Sequence, residues 1–182
     1  MIKAIACVDE KWGIGKNGNL LMRIPEDMKF FNKITDGEIC IMGRKTWESI
    51  PARNRPLKNR YNVVLSNQLE QSKKYRIEIF GDTVIKDAKQ IVLFCKLICI
   101  EDFLKMGGDE KINTFIIGGG NTYSQLLKYC DEVYITKIYA DLHADTFFPE
   151  LSAEKWDCSS ISEKKKYNNI EYQFYKYRRK ET

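Results

Sequence analysis

Residues 39–51 read Ile39, Cys40, Ile41, Met42, Gly43, Arg44, Lys45, Thr46, Trp47, Glu48, Ser49, Ile50, Pro51. The opening run is apolar, as in a short buried strand. Glycine ends it, and Arg44, Lys45 and Thr46 lead into a helix. The first turn of a helix carries backbone N–H groups without an intrahelical acceptor, so such a junction draws anions. Two cations and a hydroxyl there make a cradle for a phosphorylated ligand. A second junction comes later: Phe115, Ile116 and Ile117 run into Gly118, Gly119 and Gly120, and an amphipathic stretch follows. Two such junctions in 182 residues point to a dinucleotide held by its phosphates. Each part also has a plainer reading. Glycines at a turn serve tight geometry, and Arg44 or Lys45 alone reads as a surface cation. The triple glycine is not G-x-G-x-x-G, so a Rossmann fold is not supported.

Upstream, Ile2 to Val8 is apolar with little alternation, the pattern of a strand covered on both faces. Asp9 to Leu21 is a glycine- and asparagine-rich loop and a candidate lid. Pro25 opens a helix, Met28, Phe31 and Ile34 form its apolar stripe, and Gly37 lies beyond its end. Downstream, Arg53 to Asn59 is a loop and Tyr61 to Ser66 a strand. Gln71 to Lys74 reads as a turn, Thr83 to Ile85 and Ile91 to Phe94 as short strands, and Ile100 to Met106 as a helix ended by Gly107 and Gly108. Thr114 to Ile117 is a strand, Asn121 to Tyr129 a helix, Glu132 to Ile138 a strand, and Phe147 and Phe148 a buried edge. Two more strands follow Trp156. Ile170, Tyr172 and Phe174 alternate with polar neighbours, as in a half-exposed strand. The order predicts an α/β fold: a mainly parallel sheet ending in an antiparallel hairpin.

The length suits one domain, residues 1–182, with a substantial core. Hydrophobic residues at 43% and charged residues at 30% describe a globular protein. No apolar run is long enough to span a bilayer, and Met1 to Val8 lacks the parts of a signal peptide; the cytoplasm is the expected compartment. The net charge of +5 is spread along the chain. It suits an anionic ligand or simply a solvated lysine-rich surface, and no basic helix with stacking aromatics argues for nucleic acid. Six cysteines without a C-x-x-C pair, and His143 as the sole histidine, argue against a zinc site or a disulfide framework. Cys95 and Cys99 could share a helix face, but buried free thiols are the expectation.

Asp27 shares a helix face with Phe31 and Ile34, at spacings of four and seven residues. A carboxylate on the apolar side of a helix is costly without a partner or a task. Desolvation raises its pKa, which suits a proton donor near neutral pH. An aspartate in a first helical turn also complements the helix dipole, so spacing alone leaves both readings open.

Taken together these segments resemble dihydrofolate reductase. The stretch from Trp12 to Leu20 is similar to that family's mobile loop, and Met42 to Pro51 to its most recognisable signature. Asn54 to Arg60 and the strand into Ser66 resemble its vertebrate-type forms. Ile117 to Gly120 with Tyr123 fits its second glycine motif, and Ala144 to Pro149 its C-terminal one. The motifs stand in family order over nearly the whole chain, except about residues 68–112. The implied fold is a three-layer sandwich: an eight-stranded, mainly parallel sheet, a C-terminal antiparallel hairpin, and about four helices. The implied reaction is reduction of 7,8-dihydrofolate to tetrahydrofolate by NADPH, which supplies one-carbon metabolism and thymidylate synthesis.

The resemblance implies the site residues. Asp27 would hold the pterin nitrogens and promote protonation at N5 by way of water, with Thr136 fixing its orientation. Ile5, Ala6 and Ile117 would lie along the pterin and nicotinamide. Phe31 and Ile50 would clamp the pterin and benzoyl groups, and Met28, Ser49, Leu57 and Tyr123 would complete the substrate pocket. Arg60 would pair with the glutamate α-carboxylate. For NADPH, Arg44, Lys45, Thr46 and Ser66 would take phosphates of the adenosine side, flanked by Gly43, Leu65 and Asn67. Gly119 and Gly120 would approach the pyrophosphate with Asn121, Thr122 and Tyr123, and the Gly118–Gly119 bond would be cis. Cys7, Ile14, Gly15, Gly18 and Asn19 would border the cofactor on the loop side. No metal is implied. Methotrexate or trimethoprim-type antifolates would be ligands, and the protein a monomer with no nucleic-acid or membrane partner.

The chain departs from the family at three places. Leu20, Leu21 and Met22 stand where Leu-Pro-Trp is usual, and Met22 takes the position of a tryptophan that helps hold a water near the substrate. Asn67 replaces a residue that is often basic, which shifts NADPH selectivity toward Arg44 and Lys96. The segment after Asn67 is longer than usual. The chain ends soon after its last strand, so no fused thymidylate synthase is expected. Two rivals remain: a same-fold NADPH reductase of a pyrimidine or flavin precursor, and an inactive folate-binding relic. The joint presence of Asp27, Phe31 and Arg60 favours folate.

Overall fold

The computed structural model describes residues 1–66, 91–95, 101, 104–105 and 111–181. Five parallel strands form the middle and one side of the sheet: β1 (Ile2–Val8), β4 (Ile39–Gly43), β5 (Tyr61–Leu65), β6 (Ile91–Cys95) and β7 (Thr114–Gly118). β8 (Glu132–Ile138) lies parallel to β1 on its other side. Beyond it the C-terminal segment runs antiparallel: β10 (Trp156–Ser160), β11 (Lys165–Tyr167) and β12 (Ile170–Arg179). The order is β10-β12-β8-β1-β7-β4-β5-β6, with β11 also paired to β12. The expected eight-stranded, mainly parallel sheet is therefore present.

Helix α1 (Pro25–Thr35) starts at a proline in its first turn, beside Glu26 and Asp27, and Gly37 follows its end with φ 76°. α2 (Arg44–Ser49) and α3 (Gly120–Leu126) begin at the two glycine junctions. The register pairs Met42 with Gly118, so the two helix starts stand side by side at the carboxyl ends of adjacent strands. Ala4, Ala6, Val8, Ile41, Ile116, Val133 and Ile135 pack on one face of the sheet with Tyr123 and Leu126 of α3. A second cluster holds α1 through Ile24, Ile138, Tyr172 and Phe174, and a third holds α2 through Cys40, Met42 and Val64.

Several expectations need correction. Met28, Phe31 and Ile34 do not seat α1 on the sheet. Met28 is 38% exposed, and Thr35 is the helix's buried residue. Phe30 anchors it instead, its ring 5.0 Å from Phe174 and 6.1 Å from Tyr134. Met28 and Phe31 face a cleft rather than the core. The loop from Asp9 to Leu21 contains two short strands, β2 (Gly13–Lys16) and β3 (Asn19–Leu20), which join β9 (Thr146–Phe147) in a separate small sheet. Phe147 is exposed while Phe148 is buried, because β9 pairs with that outer sheet. The C-terminal hairpin has three strands rather than two. β10 and β11 are one arm interrupted near Ser162, whose hydroxyl accepts the Phe174 N–H at 3.1 Å in place of a carbonyl. Asn168 and Asn169, both at positive φ, make the two-residue turn into β12.

Cys95 ends strand β6 and so shares no helix face with Cys99. Cys7, Cys40, Cys130 and Cys158 are free thiols, the last of them exposed. The expected turn at 71–74, the strand at 83–85, Lys96, Cys99 and the Gly107–Gly108 stop lie outside the described residues. Glu101, Leu104 and Lys105 are helical, as expected there. Among the described residues no helix is long and apolar enough to cross a membrane.

Candidate active site

Parallel strands open a crevice at their carboxyl ends, and ligands collect there. Here a cavity of about 1580 Å³ runs between α1 on one side and α2 with residues 50–60 on the other, across the ends of β1 and β7. That volume exceeds the usual range for one small ligand, about 300–1,000 Å³, and accommodates two ligands in one trough. Apart from Thr136, Asn67 and Lys96, every residue expected at the site lines this cavity. Asn67 lies outside the described residues.

Asp27 stands in the first turn of α1 and points into the apolar end of the trough, near Ile5, Cys7, Met22 and Phe31. Thr136 is buried behind it on β8 and donates its hydroxyl to Asp27 Oδ1 at 2.6 Å. Burial pushes the Asp27 carboxyl above the usual aspartate range, and the Thr136 bond opposes that only in part. The Cys7 thiol beside it is pushed well up by burial and by Asp27, so it stays neutral. Tyr123 is buried too, and its hydroxyl donates to the Ile5 carbonyl at 2.6 Å. That bond fixes the edge of β1 where it faces the trough. Met22 packs against the cluster of Ile24, Ile138, Tyr172 and Phe174 and lines the cavity.

At the far end of α1, Arg60 is 8% exposed. Its Nε donates to Thr35 Oγ1 at 2.8 Å, Nη1 to the Lys58 carbonyl at 2.6 Å, and Nη2 to the Asn32 carbonyl and Oδ1 at 2.9 and 3.1 Å. The guanidinium lies over the Phe31 ring, 5.6 Å from its centroid. These contacts hold a planar cation rigidly against the trough. Asn62 is fully buried and braces the same loop: its Nδ2 donates to the Leu57 and Arg60 carbonyls, and its Oδ1 accepts the Leu57 N–H, all at 3.0 Å.

The opposite end is built for anions. Gly43 and Gly119, at the starts of α2 and α3, supply no side-chain cap, and both line the trough. Bulk is excluded there: a Cβ on Gly43 would stand 2.7 Å from Thr122 Oγ1, and one on Gly119 3.1 Å from Thr46 Oγ1. A Cβ on Gly120 would stand 2.7 Å from the Phe147 carbonyl. Lys45 and Thr46 border this end with Ser66, and Arg44 bonds Glu48 at 2.8 Å on the exposed side of α2. The Gly118–Gly119 bond is cis, as expected.

The glycine-rich loop is pinned at both ends. Asp9 is fully buried; its Oδ1 accepts the Lys11 and Gly13 N–H groups at 2.9 and 2.7 Å, and its Oδ2 accepts that of Leu142 at 3.2 Å. Asp145 Oδ2 accepts the Asn17 N–H at 2.7 Å. Sequence reasoning missed Asp9, Asn32 and Asn62. Asp9 carried a signal, since an Asx turn before a glycine-rich loop favours Asp. Asn62, inside an apolar strand, also stood out as a polar residue in need of partners. Asn32 carried none.

A family model described as dihydrofolate reductase matches residues 1–179. The dihydrofolate reductase of Bacillus subtilis (strain 168) is 35% identical over 182 residues, covering 99% of this chain and 95% of its own. That of Rattus norvegicus is 31% identical over 197 residues, covering 99% and 98%. A bifunctional dihydrofolate reductase-thymidylate synthase of Glycine max is 33% identical over 188 residues, spanning 96% of this chain but 33% of its own length.

Proposed function

The chain belongs to the dihydrofolate reductase family, and on that premise we propose that Asp27 is the acid of its reaction. The enzyme reduces 7,8-dihydrofolate to 5,6,7,8-tetrahydrofolate with NADPH and binds antifolates. The observation that carries the assignment of Asp27 is its setting: a carboxyl in the apolar end of the trough, oriented by Thr136 and held above its ordinary pKa by burial.

The residues at the other end fit the cofactor. Two uncapped helix starts, the close approach of neighbouring atoms to Gly43, Gly119 and Gly120, and Lys45, Thr46 and Ser66 suit a phosphorylated dinucleotide. Bound NADPH supplies the hydride that the pterin C6 receives. The protein supplies orientation, dryness and one proton. Ile5, Phe31 and Ile50 bound the trough with apolar walls, and such walls strengthen any hydrogen bond to Asp27. Thr136 occupies Asp27 Oδ1; Oδ2 accepts no hydrogen bond from the described residues, which suits a ligand amino group. A carboxyl with a raised pKa retains its proton closer to neutrality and passes it to N5 by way of water. Arg60 takes the glutamate α-carboxylate, and Met22 leaves the water near Asp27 less confined than a rigid indole does.

We further read the chain as one domain, active as a monomer in the cytoplasm and without a nucleic-acid partner; light scattering at working concentration tests the monomer. The functional test is loss of NADPH absorbance with dihydrofolate. Turnover supports the reading. Tight methotrexate binding without turnover marks a relic, and turnover confined to a pyrimidine or flavin precursor marks a different reductase.

A further inference from the structure

Two consecutive residues of α1 are gripped by two different strands. Thr136 on β8 holds Asp27, and Tyr172 on β12 donates its hydroxyl to Glu26 Oε2 at 2.7 Å. Lys165 of β11, the cross-strand partner of Tyr172, bonds the other oxygen of Glu26. The register pairs Phe174 with Thr136 and Tyr172 with Ile138, so Thr136 and Tyr172 are diagonal neighbours on one face of the sheet.

Beside these two polar bonds, apolar packing holds the start of α1: Ile24 is 1% exposed and sits in one cluster with Tyr172 and Phe174. Ile24, its N-cap residue, provides no side-chain cap, and the buried residue of the helix is Thr35 at the far end. Consecutive side chains diverge by about 100° around a helix. Packing of Ile24 and Phe30 seats the helix on the sheet, and two bonds at that divergence add a directional restraint on its roll. Glu26 lies on the same side as Phe30, which packs on Phe174, whereas Asp27 lies with Phe31 on the cleft side.

We propose that Tyr172 is a positioning residue for the reduction: by holding Glu26 it sets the roll of α1, and so keeps Asp27 turned into the cleft. Tyr172 is 3% exposed, so its ring cannot follow a wandering helix. The Lys165 contact is open to solvent, whereas the Tyr172 bond to the same carboxylate is partly buried. Burial and the Glu26 carboxylate push the Tyr172 hydroxyl up to about 12, so it remains a donor throughout the neutral range.

The titratable groups facing Asp27 are Cys7 from β1, Tyr123 from α3 and Tyr172 from β12. Burial pushes each of them up, and all keep their protons near neutrality. Glu26, on α1 itself, is held below its ordinary value by Lys165 and Tyr172. None of these groups titrates between the ordinary aspartate value and neutrality, so a shift of the assigned Asp27 signal there belongs to Asp27 itself.

The inference rests on Asp27 as the acid. Its test is carbon NMR titration of aspartate-labelled enzyme, with the Asp27 signal assigned by its loss in Asp27→Asn, alongside the pH profile of turnover. In Tyr172→Phe the Asp27 midpoint should fall by about half a unit to one unit, and turnover above it about three- to tenfold. Glu26→Ala should reproduce both changes. Glu26→Gln keeps an acceptor for Tyr172 and should retain the parental midpoint. An unmoved midpoint in Tyr172→Phe, even with a lower melting temperature, overturns the proposal, as does a Glu26→Gln midpoint that moves like that of Glu26→Ala. If Asp27→Asn keeps full turnover, the acid assignment fails separately, whatever the midpoints do.

Discussion

Replacing Asn62 by alanine removes the brace beneath the Arg60 loop. The side chain is fully buried and makes three hydrogen bonds, two to Leu57 and one to Arg60. At about 1 kcal/mol net for each, the loss is about 3 kcal/mol. Leu57 is only half-buried, so water can reach some of the orphaned groups and limit the cost. For a domain of this size each kcal/mol lowers the melting temperature by about 2–4 °C, giving a fall of about 6–12 °C. The loop carries Leu57, Lys58 and Arg60, which line the end of the trough proposed for folate. Dihydrofolate affinity should therefore fall about tenfold or more, with NADPH affinity within about threefold. Thermal unfolding by circular dichroism and separate fluorescence titrations measure both. A melting temperature within about 2 °C of the parent, or equal losses for the two ligands, would refute the reasoning.

Arg60→Ala removes a desolvated cation and should weaken dihydrofolate binding at least about thirtyfold while sparing NADPH; calorimetric titration of each ligand decides it, and equal loss moves Arg60 out of the folate site. Gly120→Ala drives a Cβ to 2.7 Å from the Phe147 carbonyl, backbone that yields poorly, at a cost of about 1–3 kcal/mol. NADPH affinity should drop, and an unchanged dissociation constant contradicts the close approach argued there. The Asp27 carboxyl is raised in the fold, so the folded state keeps its proton to higher pH than the unfolded state. Its contribution is present below the ordinary aspartate value, about 3.9, and is lost as pH rises through the folded value. Urea unfolding should find Asp27→Asn more stable than the parent at neutral pH and closer to it near pH ~4. A parent whose stability rises with pH relative to Asp27→Asn reverses the sign.

Much of the architecture could be read from local pattern because both junctions are local. An apolar run, a glycine and a cationic turn declare strand, bend and helix within a dozen positions. The Asp27–Thr136 pair spans 109 residues and came from family resemblance, since no short pattern joins a helix start to a distant strand. The stripe on α1 was legible as apolar but not as cleft-facing. Periodicity reports that a face avoids water, not whether protein or ligand covers it, and Phe30 is recognised as the anchor only once Phe174 stands opposite. Ser162 hid the split in the hairpin because a hydroxyl standing in for a carbonyl leaves no mark in the alternation. Asp9 looked like a loop residue because its three partners are backbone N–H groups, which every sequence has.

The most direct test of Asp27 as proton source is the pH profile of single-turnover dihydrofolate reduction by Asp27→Asn enzyme saturated with NADPH. The expected result is a rate at neutral pH lowered by about 10²–10⁴, with the dependence on Asp27 protonation gone and the circular dichroism spectrum unchanged. A rate equal to the parent's at every pH would contradict it.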